Sequence, residues 1–572
     1  MRRRLSSWAA AVALSGAAAL AGIAALAPPA AAQQVRVIEI RNADRVVVET
    51  DSLTGVVRRL TGDVRLREDT TRLRADRATL YEARREAVLS GRVRIVSGDD
   101  TLTADRVTYD ANVREALATG SVRIGSERAV LLAPRVTYSV TNKRATFAGG
   151  GRLLADGAVL TAPSGTYDTE RRVARLDESL TLVDSTGTLT AARGTYDART
   201  RRADAVGRVR LVRPGETLDA DSLVYFRRTE RARAFGRVVL DRLGEGGADR
   251  AADAPLDSTR RSVLFAGRMI VDGQAETARA DDDPLLVVLR RDSLGVTDTT
   301  VVRAARLHAA RRDSAGVRTE TLTAVGAARV VQASLTAVAD SARFVRTAAA
   351  DPRDRLDLDG AALGLSRPAV WADGAQLSGD TLRVTQDAAG DRVLALGRAF
   401  VGRVDSTLGR LQQLGGARLL GLLRGERLRA LRVWPTAEAL IYQAAEDGRL
   451  SGAEQIGADS LDLRFDAEGE IRDLGAFGSI EGTVYGPSIV PTGTRLGGFA
   501  FDPAVRPTRD AVLPPDAWPA RWLARHPRFG APAPGDDPEP AGAPAAGAPA
   551  AGAPAEPVPG GPLSREADGS GP

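Results

Sequence analysis

Few side chains in this 572-residue sequence are of the kinds that do chemistry. There are two histidines, His308 and His526, far apart and without a partner motif, so zinc would find no donor set. Cysteine is absent, which removes thiolate catalysis, disulfides, iron–sulfur ligation and a lipid-modified N-terminal cysteine. Asp281-Asp282-Asp283 has calcium-like composition, but Pro284 follows and a solvated acidic loop is the better account of it. Asp76, Asp105 and Asp221 recur in one column whose other members are Pro134, Pro163 and Ala192. Such a column tracks a bend in the chain rather than a set of catalytic acids. No Gly-x-Ser-x-Gly elbow, phosphate loop or dinucleotide fingerprint is present. The inventory points away from an enzyme and calls for no cofactor and no metal.

Charge narrows the partners. Lysine and arginine number 79 against 73 acids, a net +6, and Lys143 is the sole lysine. Arginine usage of this kind reflects either a GC-rich genome or arginines at strand ends meeting anionic head groups, since guanidinium pairs with phosphate in a bidentate way. Both signs are interspersed and aromatics are only 4%, which argues against nucleic acid.

What must position any site is a 29-residue repeat. Leucine recurs at Leu73, Leu102, Leu131, Leu160, Leu189 and Leu218, with alanine two places later from Ala75 to Ala220. Tyr109, Tyr138, Tyr167, Tyr196 and Tyr225 close successive units, and Gly62, Gly91, Gly120, Gly149, Gly207 and Gly236 open them. Only Glu178 breaks the glycine column. In one unit, Ala87, Leu89, Gly91, Val93 and Ile95 alternate with Val88, Ser90, Arg92 and Arg94, the period of a half-buried strand. Ser97-Gly98-Asp99-Asp100 is turn chemistry, and a second strand runs from Thr101 to Tyr109. Its apolar parity slips at Asp105-Arg106, the mark of a bulge or corner. Short turns between strands of about ten residues make antiparallel hairpins rather than βαβ units. Stacked, they give an elongated all-β fold with one apolar stripe, either a filled core or an open groove.

The ends read differently. Met1 to Ala32 combines three arginines, an apolar run and small residues before Gln33, as in an export signal or an uncleaved N-terminal anchor. Residues 33–240 hold the repeats, 241–262 read as a linker, and 263–490 as a second, similar β segment. Within it, residues 419–430 suit a short helix or a loop. Residues 491–572 read as a Pro/Ala/Gly-rich tail, largely disordered, with Gly-Ala-Pro-Ala repeated from 530 to 562.

The units are also recognisable. Gly91-Arg92-Val93-Arg94-Ile95 followed by Leu102-Thr103-Ala104-Asp105-Arg106-Val107-Thr108-Tyr109-Asp110, and Gly207-Arg208-Val209-Arg210-Leu211 followed by Leu218-Asp219-Ala220-Asp221-Ser222-Leu223-Val224-Tyr225, resemble the OstA-like (LptA-like) family. That family includes LptA, LptC and the periplasmic domain of LptD. The resemblance covers 62–240 well and 320–490 more loosely. It implies an open, V-shaped β-jellyroll in the periplasm that shields lipid A acyl chains, binds lipopolysaccharide or a related glycolipid, and stacks end to end with other transport components or with itself. Carried over, the lipid-lining candidates are Leu66, Val93, Ile95, Leu102, Val107, Tyr109, Ile124, Val136 and Tyr138. The competing reading is a structural or adhesive β-repeat scaffold with a closed core. The chain exceeds a single bridge module in length, and its second half lacks the aromatic-girdled strands of an outer-membrane barrel.

Overall fold

A computed structural model describes residues 38–526, apart from 52–54, 69, 127–128, 245–256, 292–296, 315–316, 349–352, 362, 388–389, 425–426, 468, 491–492, 494 and 498–500. The segment read as an export signal or anchor therefore lies outside the described residues. What is described is almost wholly antiparallel sheet, 36 strands in one hydrogen-bonded array.

The repeat becomes a creased hairpin. Strand Glu86–Ser97 pairs with Asp100–Asp110, with Ser90 opposite Arg106 and then Val93 opposite Ala104. Two residues, Gly91 and Arg92, thus face the single Asp105, and both lie at positive φ, +76° and +44°. The extra residue sits in the first strand, opposite the Asp105 slip expected in the second. The bulge bends the sheet and changes parity, so apolar side chains stay on one side past the corner. The same slip recurs between Thr61 and Val64, Thr119 and Val122, and Val206 and Val209, then on to Val325/Ala328 and Leu396/Ala399. At the broken glycine position Glu178 and Ser179 adopt φ +60° and +48°, so the crease runs through unbroken.

The aspartate column belongs to this crease. A Cβ on Gly120 would come within 2.1 Å of Asp105 Oδ2, and Ser121 N–H donates to that oxygen at 3.1 Å. Arg237 N–H donates to Asp221 at 3.1 Å in the same way, and the Arg92 guanidinium lies 2.7 Å from Asp76. These carboxylates cap the bulge.

Folding along the crease lays two half-sheets face to face. Their inner side chains form one continuous apolar cluster from Leu60 to Leu463. The sheet takes in both ends of the stretch read as a linker, because Arg231–Gly244 pairs with Asp257–Asp272, Asp241 lying opposite Val263, while 245–256 lie outside the described residues. Residues 419–424 and 427–430 are neither helix nor loop: strands Leu411–Arg424 and Arg427–Trp434 pair antiparallel with Leu419 opposite Val433. Pairing on both edges outweighs the helix propensity of its leucines.

Part of the stretch read as tail is ordered. Leu496 packs among Leu440, Tyr442 and Ala453, and Val505 lies beside Val338 and Trp371. The short helices α1 (Arg509–Val512) and α2 (Trp518–Arg525) then cover Val263, Phe265, Val287 and Val301 on the outer face. Trp518 and Trp522 meet Phe265 edge-on, with ring centroids 5.1 and 5.7 Å away. Two buried glutamines hold this strap, Gln413 accepting from Leu496 N–H and Gln376 from Asp502 N–H, both at 2.9 Å.

Candidate functional site

The residues with chemical potential are engaged structurally. His526 ends α2, its ring stacked on Trp522 at 4.1 Å, while His308 sits mid-strand opposite Thr323. Asp281 lies between Arg279 and Arg306, at 3.0 and 2.8 Å, and Asp283 pairs with Arg303. Among the described residues no group of three or more His, Asp or Glu is arranged to hold a metal ion.

The inner seam is the remaining candidate. Leu66, Val93, Leu102 and Ile124 come from one half-sheet, and Val107, Tyr109, Val136 and Tyr138 face them from the other; all are buried. Ile95 is half-buried and packs against the same cluster. Five of these are drawn together around one cavity: Ile95, Leu102, Tyr109, Ile124 and Tyr138 line it with Leu73, and Glu68, Asp100 and Arg114 stand at its rim. Val93, Val107 and Val136 lie closer to the crease, beyond it. The cavity measures about 60 Å³, room for a few waters and far short of an acyl chain. The halves touch along the seam, and nothing larger than this fits between them as they stand.

Farther along, the seam is tighter. Tyr167, Tyr196 and Tyr225 are 1%, 0% and 1% exposed. Across the mouth there, the Arg227 guanidinium donates to Asp184 at 2.5 Å and to the Tyr196 hydroxyl at 2.8 Å. Asp184 also accepts from the Thr186 hydroxyl and N–H at 2.6 and 2.8 Å, and Thr186 reaches the Tyr225 hydroxyl at 3.1 Å. The ion pair is nearly dry, with side chains 10% and 2% exposed. Burial alone would raise the Asp184 pKa, but the hydrogen bonds from Thr186 and Arg227 outweigh it and hold the carboxyl below its ordinary value. Burial raises the phenols of Tyr109, Tyr138, Tyr167 and Tyr196, which stay neutral.

Residues 36–184 match the model of the family described as OstA-like protein. This stretch is OstA-like. All nine lining candidates fall within the OstA-like stretch, and Asp184 is its last residue; Arg227, which closes on it, lies beyond. Among solved structures, the chain is similar to LptH of Pseudomonas aeruginosa, described as the LptA-homologous periplasmic component of the conserved lipopolysaccharide transport device. That likeness has 22% identity over 19% of this chain and 81% of the other, with a TM-score of 0.18. No curated protein matches the chain.

Sequence reading missed the Asp184–Arg227 contact. The tyrosine column was legible as apolar lining, but a buried tyrosine also needs a partner for its hydroxyl. Asp184 and Arg227 stand in turns at opposite ends of their hairpins, and only the crease brings those ends together.

Proposed function

We propose that this chain is a non-catalytic periplasmic carrier of lipopolysaccharide or a related glycolipid, taking acyl chains into the seam between its half-sheets and helping to bridge inner and outer membranes. The observation that carries this reading is the uninterrupted apolar seam from Leu60 to Leu463, which has the length and chemistry of a conduit rather than a pocket. The OstA-like stretch at 36–184 supports it. The nine residues from Leu66 to Tyr138 would be the lining that acyl chains meet first. Residues 33–240 and 263–490 then act as two lengths of one conduit, delivered by the N-terminal export segment or anchor.

Both ends of the sheet suit stacking on other transport components or a second copy. Among the described residues strand Arg45–Asp51 is paired on one side only, as is Glu481–Tyr485, where Val484 is 76% exposed. An open edge with outward apolar side chains is a template for another strand.

The test is photo-crosslinking in cells. A photoreactive residue replacing Val107 or Tyr109 is expected to capture lipopolysaccharide, and one replacing the outward Arg94 is not. Equal labelling at both places, or none at Val107 and Tyr109, would sink the carrier reading. The smallness of the closed cavity favours the second reading, a scaffold with a closed core, which predicts that lipid leaves the unfolding midpoint unchanged.

A further inference from the structure

The contacts across the mouth have a consistent sense. One lip is made of the hairpin turns that contain Glu68, Asp156 and Asp184; the other is made of the turns that contain Arg114, Arg201 and Arg227. Glu68, Tyr109 and Arg114 line one cavity, Asp156 lies 3.5 Å from Arg201, and Asp184 lies 2.5 Å from Arg227. Asp156 and Asp184 each meet a base about one and a half repeats further along the chain, and Glu68 shares a cavity with Arg114 at the same interval, so the pitch of the fold sets the pairing.

The basic lip is regular. Arg85, Arg114, Lys143, Arg172 and Arg201 all take φ between +52° and +59° in successive turns. Their carbonyls accept from Ala111, Val140, Thr169, Ala198 and Arg227 N–H, at 2.9 to 3.1 Å, tying each turn to the next. A non-glycine residue in this conformation costs on the order of 1 kcal/mol, and the hydrogen-bonded ladder offsets it. Cations are thereby held at one repeat's spacing beside the seam.

We propose that the mouth is a charge zip, in which Arg114, Arg201 and Arg227 form the binding row for the phosphate groups of an anionic amphiphile and Glu68, Asp156 and Asp184 occupy that row when the seam is empty. This rests on the carrier reading above. When the halves part, apolar surface lost between them is regained on the incoming tails, so the ion pairs decide which guest can open the seam. A neutral head group would leave Arg227 without an anion in a nearly dry site. A phosphate replaces the carboxylate on the guanidinium, and Asp184, freed, turns to water.

Because the chain has no cysteine, a spin-label pair at Ser185→Cys and Arg228→Cys, both exposed, reports the lip separation alone. We expect dodecyl phosphate to shift the distance distribution outward and dodecyl maltoside, carrying the same tail, to leave it in place. Asp184→Asn should widen the lips without ligand and tighten dodecyl phosphate binding several-fold. Should that variant fold poorly, Arg201→Gln, at a more exposed pair, should weaken dodecyl phosphate binding and leave dodecyl maltoside without effect on the lip distance. Equal widening by both detergents, or binding of dodecyl phosphate without widening, would overturn the zip while leaving the carrier intact. If neither detergent binds the seam, both readings fall together.

Discussion

Asp184 shows what one residue does for the seam. Its carboxylate accepts from Arg227, from the Thr186 hydroxyl and from the N–H groups of Thr186 and Gly187, so four donors converge on a side chain 2% exposed. An acid so held is a better acid folded than unfolded. Its contribution is therefore present above the ordinary aspartate pKa, about 3.9, and is lost as pH falls through the lower folded value. Arg227 stays charged throughout and does not move this window. Asp184→Asn should cost about 2 kcal/mol at pH 7, the scale of a hydrogen bond to a charged group. Chemical denaturation of both proteins from pH 7 to pH 3 checks this. The gap should narrow as pH falls below about 4, and a gap at pH 3 as large as at pH 7 would mean that the charge is not its source.

At the level of elements, the strands were legible and their folding was not. Period-2 alternation gave every hairpin from 86 to 226, and the parity slip at Asp105 marked the bend. What it could not show is that Gly91 and Arg92 are the doubled residues, or that Glu178 keeps the bend without glycine, since both depend on pairing with a neighbour. The strap was hidden for a similar reason. Trp518 and Trp522 lie in a stretch whose prolines and alanines promise no core of its own, and the apolar patch that receives them belongs to strands about 250 residues away in sequence. The clasp needs the crease before its partners can be matched, so the lining was readable and its closure was not. The crease itself can be tested at two positions. Gly120→Ala puts a Cβ against Asp105 at φ +96°, and should cost about 2–3 kcal/mol. Glu178→Gly relieves a strained backbone at φ +60°, less the entropy glycine adds to the unfolded chain, for a gain of about 0.5 kcal/mol. Opposite signs in equilibrium unfolding are expected; a stabilising Gly120→Ala would mean that the bulge is not held as described.

For the whole molecule, the relevant fact is that each strand pairs only with its neighbours while nearly all of the strands between Leu60 and Leu463 contribute to one seam. Stability then accumulates from unit to unit, and length is adjustable only in whole periods. Deleting 121–149 joins Gly120 to Gly150, so that Gly151 and Leu153 take the places of Val122 and Ile124 and every inner position stays inner. Deleting 121–148 removes one residue fewer, and from the junction to the next turn each side chain moves to the other face of its strand. The clasp at Asp184 and Arg227 lies downstream and is intact in both. The first deletion should fold with one cooperative transition and unchanged strand content by circular dichroism, its seam shorter by one hairpin. The second should expose leucines to water, bind an apolar dye and aggregate. Two deletions that fold equally well would show that the seam tolerates a slip in register. A conduit that must keep its apolar face continuous for its full length could not, so the same pair of proteins tests the continuity on which the carrier reading depends.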